Sequence, residues 1–265
     1  MAESIKELRG RIRSVGNTRQ LTKAMELAAS ARVKGAMERA EQARLFWEEA
    51  AREARRSCAR VREENAAEQK KYLIVMSGDR GLAGGYNINV FQTAEKILRA
   101  GGYQLIAVGK KAAERFRYRE DCRDLSGMTK EVCLAMGKDL AEQYERGEFD
   151  RLELVYTELV NPLIQNARHA VILPVVPEGE ALLYEPSREA VQRAVMPLYL
   201  GGWIHYAAVQ SYASELCARR NAMDTATRNA DEMLEELKLR YNRARQGAIT
   251  REITEIVAGA GGSST

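Results

Sequence analysis

WIHYAAVQSYASELCARRNAMDTATRNADEMLEELKLRYNRARQGAITREITEIV, Trp203 to Val257, holds no proline and a single glycine, Gly247. Ala, Leu, Met, Glu, Arg and Gln dominate it, and all are good helix formers. The stretch reads as one continuous helix, about 80 Å long at 1.5 Å per residue. No small globular core buries an element of that length. A second helical run fills the other end of the chain, from about Ser4 to Gln69. Only the middle reads as an ordinary folded domain. Two distant helical ends around a globular insert predict an antiparallel pair projecting from a body.

The bulk numbers fit that outline. The chain has 265 residues, room for one body with a real core or two small domains. Hydrophobic residues make up 45% but aromatic ones only 6%. Thin helical packing has that signature, because little interior is wide enough for rings. Against 37 acidic residues stand 41 basic ones, a net +4 that permits an acidic partner without demanding nucleic acid. Cys58, Cys122, Cys133 and Cys217 form no CxxC, and with two histidines they argue against zinc. Scattered single cysteines fit a reducing cytosol. The N-terminus is charged from Glu3 and lacks the apolar core of a signal peptide. No run of 18 apolar residues occurs, so a membrane span is not expected, while a peripheral place on a membrane machine stays open.

Along the first helix, Ser4 and Glu7 have capping-box spacing. Apolar residues follow at Ile5, Leu8, Ile12 and Val15, the spacing of a coiled-coil seam, and continue through Thr18, Leu21, Met25, Ala28 or Ala29, Val33, Ala36 and Ala40. Gly10, Gly16 and Gly35 each cost about 1 kcal/mol in a helix, which predicts either a bend or a close approach. Lys71–Met76 is a first strand, followed by GDRGLAGGYN (Gly78–Asn87), a helix to about Ala100 and a positive-φ stop at Gly101-Gly102. Tyr103–Val108 is a second strand, then come helices from Lys110 to about Arg117 and from about Thr129 to Arg146. Arg151–Leu159 alternates as a half-exposed strand. Ala170–Val176, broken by Pro174, reads as an edge strand. Ser187 caps a further helix that Pro197 and Gly201-Gly202 are expected to interrupt. On the last helix a stripe runs through Ala222, Ala226, Met233, Leu237, Ala244 and Ala248, with Tyr241 beside it.

The fold class is therefore α/β: a long antiparallel coiled coil of N- and C-terminal helices with a central Rossmann-like α/β domain. The expected division is a helix over 1–69, an α/β domain over 70–186 and a helix over 187–265.

The glycine-rich loop invites a nucleotide reading, but Gly78, Gly81, Gly84 and Gly85 do not have GxGxxG spacing, and the second strand ends in Val108-Gly109-Lys110 without a ribose-binding acid. A tight turn is favoured, with Asp79 and Arg80 pairing locally or contacting a neighbouring subunit. His169 and His205 lack cysteine or serine partners at motif spacing and read as satisfied or exposed. The first helix is basic (Lys6, Arg9, Arg11, Arg13, Arg19, Lys23, Arg32, Lys34, Arg39), which fits a solvated face, nucleic acid, or the acidic loops of a surrounding assembly. Nucleic acid would call for more aromatic platforms.

Four motifs carry a resemblance. RIRSVGNTRQLTKAMELAAS (Arg11–Ser30) resembles the opening of the gamma subunit of F-type ATP synthases. So do SGDRGLAGGYN (Ser77–Asn87), with Ala83 where many members have cysteine, SELCARRNAMDTATRNA (Ser214–Ala230) and LKLRYNRARQGAITREITEIVAGA (Leu237–Ala260). Arg220 and Asn221 stand where apolar and small residues are usual. The resemblance implies a central-stalk rotor whose helix pair turns inside a ring of three alpha and three beta subunits, with the body on epsilon and the c-ring. It implies no catalytic site, no cofactor, no metal, no nucleic acid and no direct small-molecule substrate. It implies a peripheral place on the energy-coupling membrane, on the cytoplasmic side of the bacterial plasma membrane. Residue by residue, it implies coupling contacts at Lys23, Met25, Arg219, Arg245, Gln246 and Thr250, and body contacts at Asp79 and Arg80. The competing readings are a nucleotide-dependent α/β enzyme with helical arms and a coiled-coil nucleic-acid scaffold.

Overall fold

The computed structural model describes residues 4–58, 70–116, 125–178 and 183–261. The elements run α1 (Ile5–Ser57), β1 (Lys71–Met76), α2 (Tyr86–Leu98), β2 (Tyr103–Val108), α3 (Lys110–Phe116), a 3-10 turn (Leu125–Gly127), α4 (Lys130–Glu145), β3 (Arg151–Asn161), β4 (Ile164–Leu173) and α5 (Arg188–Gly261). Tertiary contacts group the chain into two compact units, Met1–Ala28 with Ala222–Thr265, and Ala29–Asn221.

The expected capping box opens α1. Ser4 Oγ accepts from the Glu7 N–H at 3.2 Å, and the Ser4 N–H donates to the Glu7 carboxylate at 2.9 Å. The helix ends at Ser57, and the expected extension over 59–69 lies outside the described residues. It passes Gly10, Gly16 and Gly35 without a break, and a side chain added at any of them would meet nothing within 4 Å. The expectation of a close approach at these glycines therefore has no counterpart among the described residues.

In the first unit, the two helix segments run antiparallel. On α5, Met223, Thr227, Ala230, Leu234, Leu237, Tyr241 and Ala244 are buried or half-buried at spacings alternately four and three, and Ala222, Asp224, Ala226 and Asp231 are half-buried beside them. The alternation is the 3.5-residue period of a left-handed coiled coil. On α1 the matching positions are Ile5, Leu8, Ile12, Val15 and Thr22. The sequence reading chose Leu21 and Met233 for the seam, yet these are 61% and 56% exposed, and Thr22 and Thr227 are buried instead. A hydrophobic pattern passes over a threonine; here the two hydroxyls lie 2.8 Å apart, so neither is buried unpaired.

In the second unit the sheet order is β2-β1-β3-β4. The first three strands are parallel and β4 returns antiparallel to β3. Side chains alternate between two cores. Leu73, Val75, Leu105, Ala107 and Val155 cluster with residues of α2 and α3, while Ile74, Met76, Val108, Leu152, Leu154 and Tyr156 cluster with residues of α4 and α5. Gly101 and Gly102 have φ of 74° and 77°, as expected for the turn after α2. The edge strand is displaced from its expected place: it begins at Ile164, not Ala170, and ends before Pro174. Its polar residues obscured the alternation. Asn161 Oδ1 accepts from the N–H groups of Leu163 and Ile164, both at 2.9 Å, and so makes the hairpin turn.

The expected interruption at Pro197 and Gly201-Gly202 is overturned, because α5 runs through all three. Ser187 does cap it, accepting from the Ala190 N–H at 3.2 Å. A Cβ on Gly201 would sit 2.8 Å from Leu134 Cα, and one on Gly137 would sit 2.2 Å from the Gly201 nitrogen. Glycine is required there by the close crossing of α4 and α5, not by a helix stop. An interior proline costs about 3 kcal/mol. Burial of the adjacent Met196, Tyr199 and Leu200 opposes that cost. Trp47 of α1 completes this core, 4.6 Å from the Trp203 ring and stacked on Tyr206 at 4.7 Å.

Candidate functional site

The glycine-rich loop after β1 is held shut by the chain itself. The Gly78 N–H donates to Asn87 Oδ1 at 2.9 Å. Ser77 Oγ accepts from the Ala112 N–H at 2.7 Å. Asp79 does not pair with Arg80 as expected. Its carboxylate accepts from the backbone N–H groups of Lys110 (3.2 Å), Leu125 (2.9 Å) and Ser126 (3.1 Å), and from Ser126 Oγ (3.0 Å). The Gly78 N–H is thus taken by Asn87 and the neighbouring Lys110, Leu125 and Ser126 N–H groups by Asp79, so these donors serve the chain's own contacts.

The same loop is fastened to α5. Tyr86 donates its hydroxyl proton to the Ser211 carbonyl at 3.0 Å. Glu215 is buried and pairs with Arg219 at 2.5 Å, and Arg219 also donates to the Gly81 carbonyl at 3.4 Å. Burial pushes the Glu215 carboxyl up, against the pull of Arg219. A Cβ on Gly78 would lie 2.7 Å from Glu215 Oε1, so the loop needs glycine to admit this carboxylate. The structure therefore unites Asp79, Arg80 and Arg219 at one junction. Glu215, which makes the junction, was not singled out by sequence; its i,i+4 spacing to Arg219 was the available signal. Asn221 donates to the Pro162 carbonyl at 2.9 Å, giving one of the unusual residues a role at the β3–β4 turn.

A second buried acid also escaped sequence reasoning. Glu153 on β3 is held by Arg151, by His169 Nε2 at 2.7 Å and by the Tyr103 hydroxyl at 3.1 Å. His169 is satisfied as expected. His205 is half-buried, and its Nδ1 has no partner.

The other proposed contact residues lie along the first unit. Lys23 pairs with Glu26 at 2.8 Å, and Met25 is half-buried. Arg9 donates to the Tyr241 hydroxyl at 3.0 Å, and Arg19 pairs with Asp231. Four residues before Arg9 and four after Tyr241, Ile5 faces Arg245. Residues from Gln246 to Gly261 thus run past the start of α1. Arg245, Gln246 and Thr250 are exposed there, with the Thr250 hydroxyl donating to the Gln246 carbonyl at 2.9 Å. Lys23 stands 18 residues from Ile5, about 27 Å along the pair. The residues form a line of contacts, not a pocket. Leu21, Leu27, Met233, Leu239, Ile249, Ile253, Ile256 and Val257 add exposed apolar groups to this unit. Among the described residues no group of three or more His, Cys, Asp or Glu could hold a metal ion, and no helix is long and apolar enough to cross a membrane.

Comparison with known proteins agrees with this geometry. Residues 4–262 match the family model described as ATP synthase. The ATP synthase gamma chain of Ruminococcus albus is 40% identical over 276 residues, 96% of each chain, and that of Pelotomaculum thermopropionicum is 36% identical over 97% of this chain and 98% of its own. In fold, the chain is similar to one in the Euglena gracilis mitochondrial ATP synthase solved with OSCP, F1 and c-ring, with a TM-score of 0.72 at 17% identity over 98% and 96% of the two chains. Matched from the first helix to the last, with helices at both ends of a mixed sheet and exposed apolar residues on the outer surface of the helix pair, the chain belongs to the gamma-chain family of ATP synthases.

Proposed function

We propose that this chain is the central-stalk rotor of an F-type ATP synthase, coupling ion flow through the c-ring to ATP synthesis or hydrolysis in the alpha and beta ring. The observation that carries the reading is the helix pair of the first unit. It buries a heptad seam internally yet leaves Leu21, Leu27, Met233 and Leu239 exposed on its outside. An isolated helix pair has no use for large apolar groups facing water, whereas a shaft turning against a surrounding ring does. Lys23, Met25, Arg245, Gln246 and Thr250 are the coupling contacts on this surface. Arg219 has a different part: with Glu215 it ties α5 to the Asp79–Arg80 loop, so torque on the helix is passed to the body. The body meets the c-ring and an epsilon subunit. By role the chain divides at 69/70 and 186/187 into helix, α/β domain and helix. Its place is peripheral, on the cytoplasmic side of the bacterial plasma membrane.

Reconstitution tests this directly. The purified chain is mixed with alpha and beta subunits of its source, the product is isolated by size, and ATP hydrolysis is assayed. A complex of three alpha, three beta and one copy of this chain, with turnover that depends on it, is the expected result. Exclusion of the chain from a ring that accepts an authentic gamma subunit sinks the rotor reading.

A further inference from the structure

A cavity of about 300 Å³ in the second unit belongs to none of the contacts above. Its polar lining is Arg39 of α1, Ser126 of the 3-10 turn, Thr129 and Lys130 at the start of α4, and His205 and Tyr212 of α5. No carboxylate lines it, in a chain with 37 acidic residues. Arg39 and Lys130 make no ion pair among the described residues. Arg39 donates only its Nε–H, to the Gly35 carbonyl at 3.1 Å, and its guanidinium lies over the Tyr212 ring at 5.9 Å. The Lys130 ammonium lies 4.6 Å from the centre of the Phe46 ring. Each cation is thus steadied by an aromatic face and left with donors to spare. His205 Nδ1 is buried with no partner, and an imidazole nitrogen of that kind is a donor or acceptor awaiting one.

Two features work against a bound anion. Glu131 stands close enough to bear on His205, but its carboxylate is taken up by its own backbone N–H and the Thr129 hydroxyl. The Ser126 hydroxyl is already given to Asp79. The donors that remain are Arg39, Lys130 and His205. A forked guanidinium beside an ammonium is the pairing that suits tetrahedral oxyanions, and α4 adds the positive end of a 16-residue helix.

We propose that the cavity lined by Arg39, Lys130 and His205 is a regulatory site for a small phosphate-class oxyanion, either free phosphate or the phosphate tail of a nucleotide. It joins α1, α4 and α5 at one point, so an occupant would stiffen the junction of the helices with the body.

The test is isothermal titration of the full chain at low ionic strength with inorganic phosphate, with ATP, and with an acidic peptide. Saturable phosphate binding is expected, weakened about tenfold by Arg39→Gln and by Lys130→Gln, as befits loss of one charge-assisted hydrogen bond. Lys138→Gln removes an exposed charge from the same helix outside the cavity and is expected to leave binding unchanged. Tighter binding of ATP with the same dependence on the two variants assigns the site to a nucleotide's phosphates; equal or weaker binding assigns it to free phosphate. The proposal is overturned if phosphate shows no saturation below about 10 mM. It is also overturned if Arg39→Gln and Lys130→Gln bind like the parent, if Lys138→Gln is weakened equally, or if the acidic peptide binds better than phosphate. Helical circular dichroism of each variant separates loss of binding from loss of fold.

Discussion

At the scale of single residues, Glu153 shows what burial demands of a charge. Its side chain is 2% exposed. Burial pushes its carboxyl up, but the bonds from Arg151, His169 and Tyr103 outweigh that and hold it below the ordinary value of 4.5. A depressed carboxylate contributes stability that is present above the unfolded value and is lost as pH falls through the folded one. Glu153→Gln is therefore expected to cost about 2 kcal/mol at neutral pH, since it removes the buried negative charge that Arg151, His169 and Tyr103 converge on. The gap between variant and parent should narrow as pH drops below 4.5. Urea unfolding across a pH series measures this, and a gap that does not vary with pH refutes the account. None of it was legible in the sequence, because Glu153 and His169 meet only through the β3–β4 pairing.

Among the elements, the helix pair of the first unit is governed by its seam. Thr22 Oγ1 and Thr227 Oγ1 are buried and 2.8 Å apart, and the Thr227 hydroxyl donates to the Met223 carbonyl at 2.8 Å. A polar pair inside an apolar seam fixes register at some cost in stability. A double-mutant cycle with Thr22→Ala and Thr227→Ala should give a coupling of about 1 kcal/mol. Independent effects of the two changes would show that the hydroxyls do not act together. The seam's existence was readable from spacing. Its phase held at Ile5, Leu8, Ile12, Val15, Leu237 and Ala244 and slipped by one residue at Leu21 and Met233, where Thr22 and Leu234 turn inward instead.

For the molecule as a whole, the end of α5 is the segment that buries least against the described residues. Past Arg245 no helix lies opposite it among the described residues, and Ile249, Ile253 and Ile256, spaced four and three apart, put apolar groups on one exposed face. These residues bury little, so they contribute little to the stability of the isolated chain. Truncation after Gln246 is expected to shift the thermal midpoint of the purified chain by no more than about 2 °C. In assembly with alpha and beta subunits the same truncation should lower the yield of complex or its hydrolysis. A truncated chain that assembles and turns over like the parent would mean that this face has no partner in the ring. A large drop in midpoint would mean that it packs within the chain.

The sequence by itself determined the helical ends, the α/β character of the middle, the capping box at Ser4 and the family. Those features are local or periodic: propensity, a 3.5-residue repeat and turn chemistry act over a few neighbours and leave their mark on the string. Only the tertiary structure decided that α5 continues through Pro197 and Gly201-Gly202, since the reason is a backbone crossing with Gly137 more than sixty residues away. It alone turned Asp79 toward the Lys110, Leu125 and Ser126 N–H groups, and it alone gathered Glu215, Arg219 and Gly78 into a joint. Burial and hydrogen bonding between distant segments depend on which surfaces meet, and that information is carried by packing rather than by spacing along the chain.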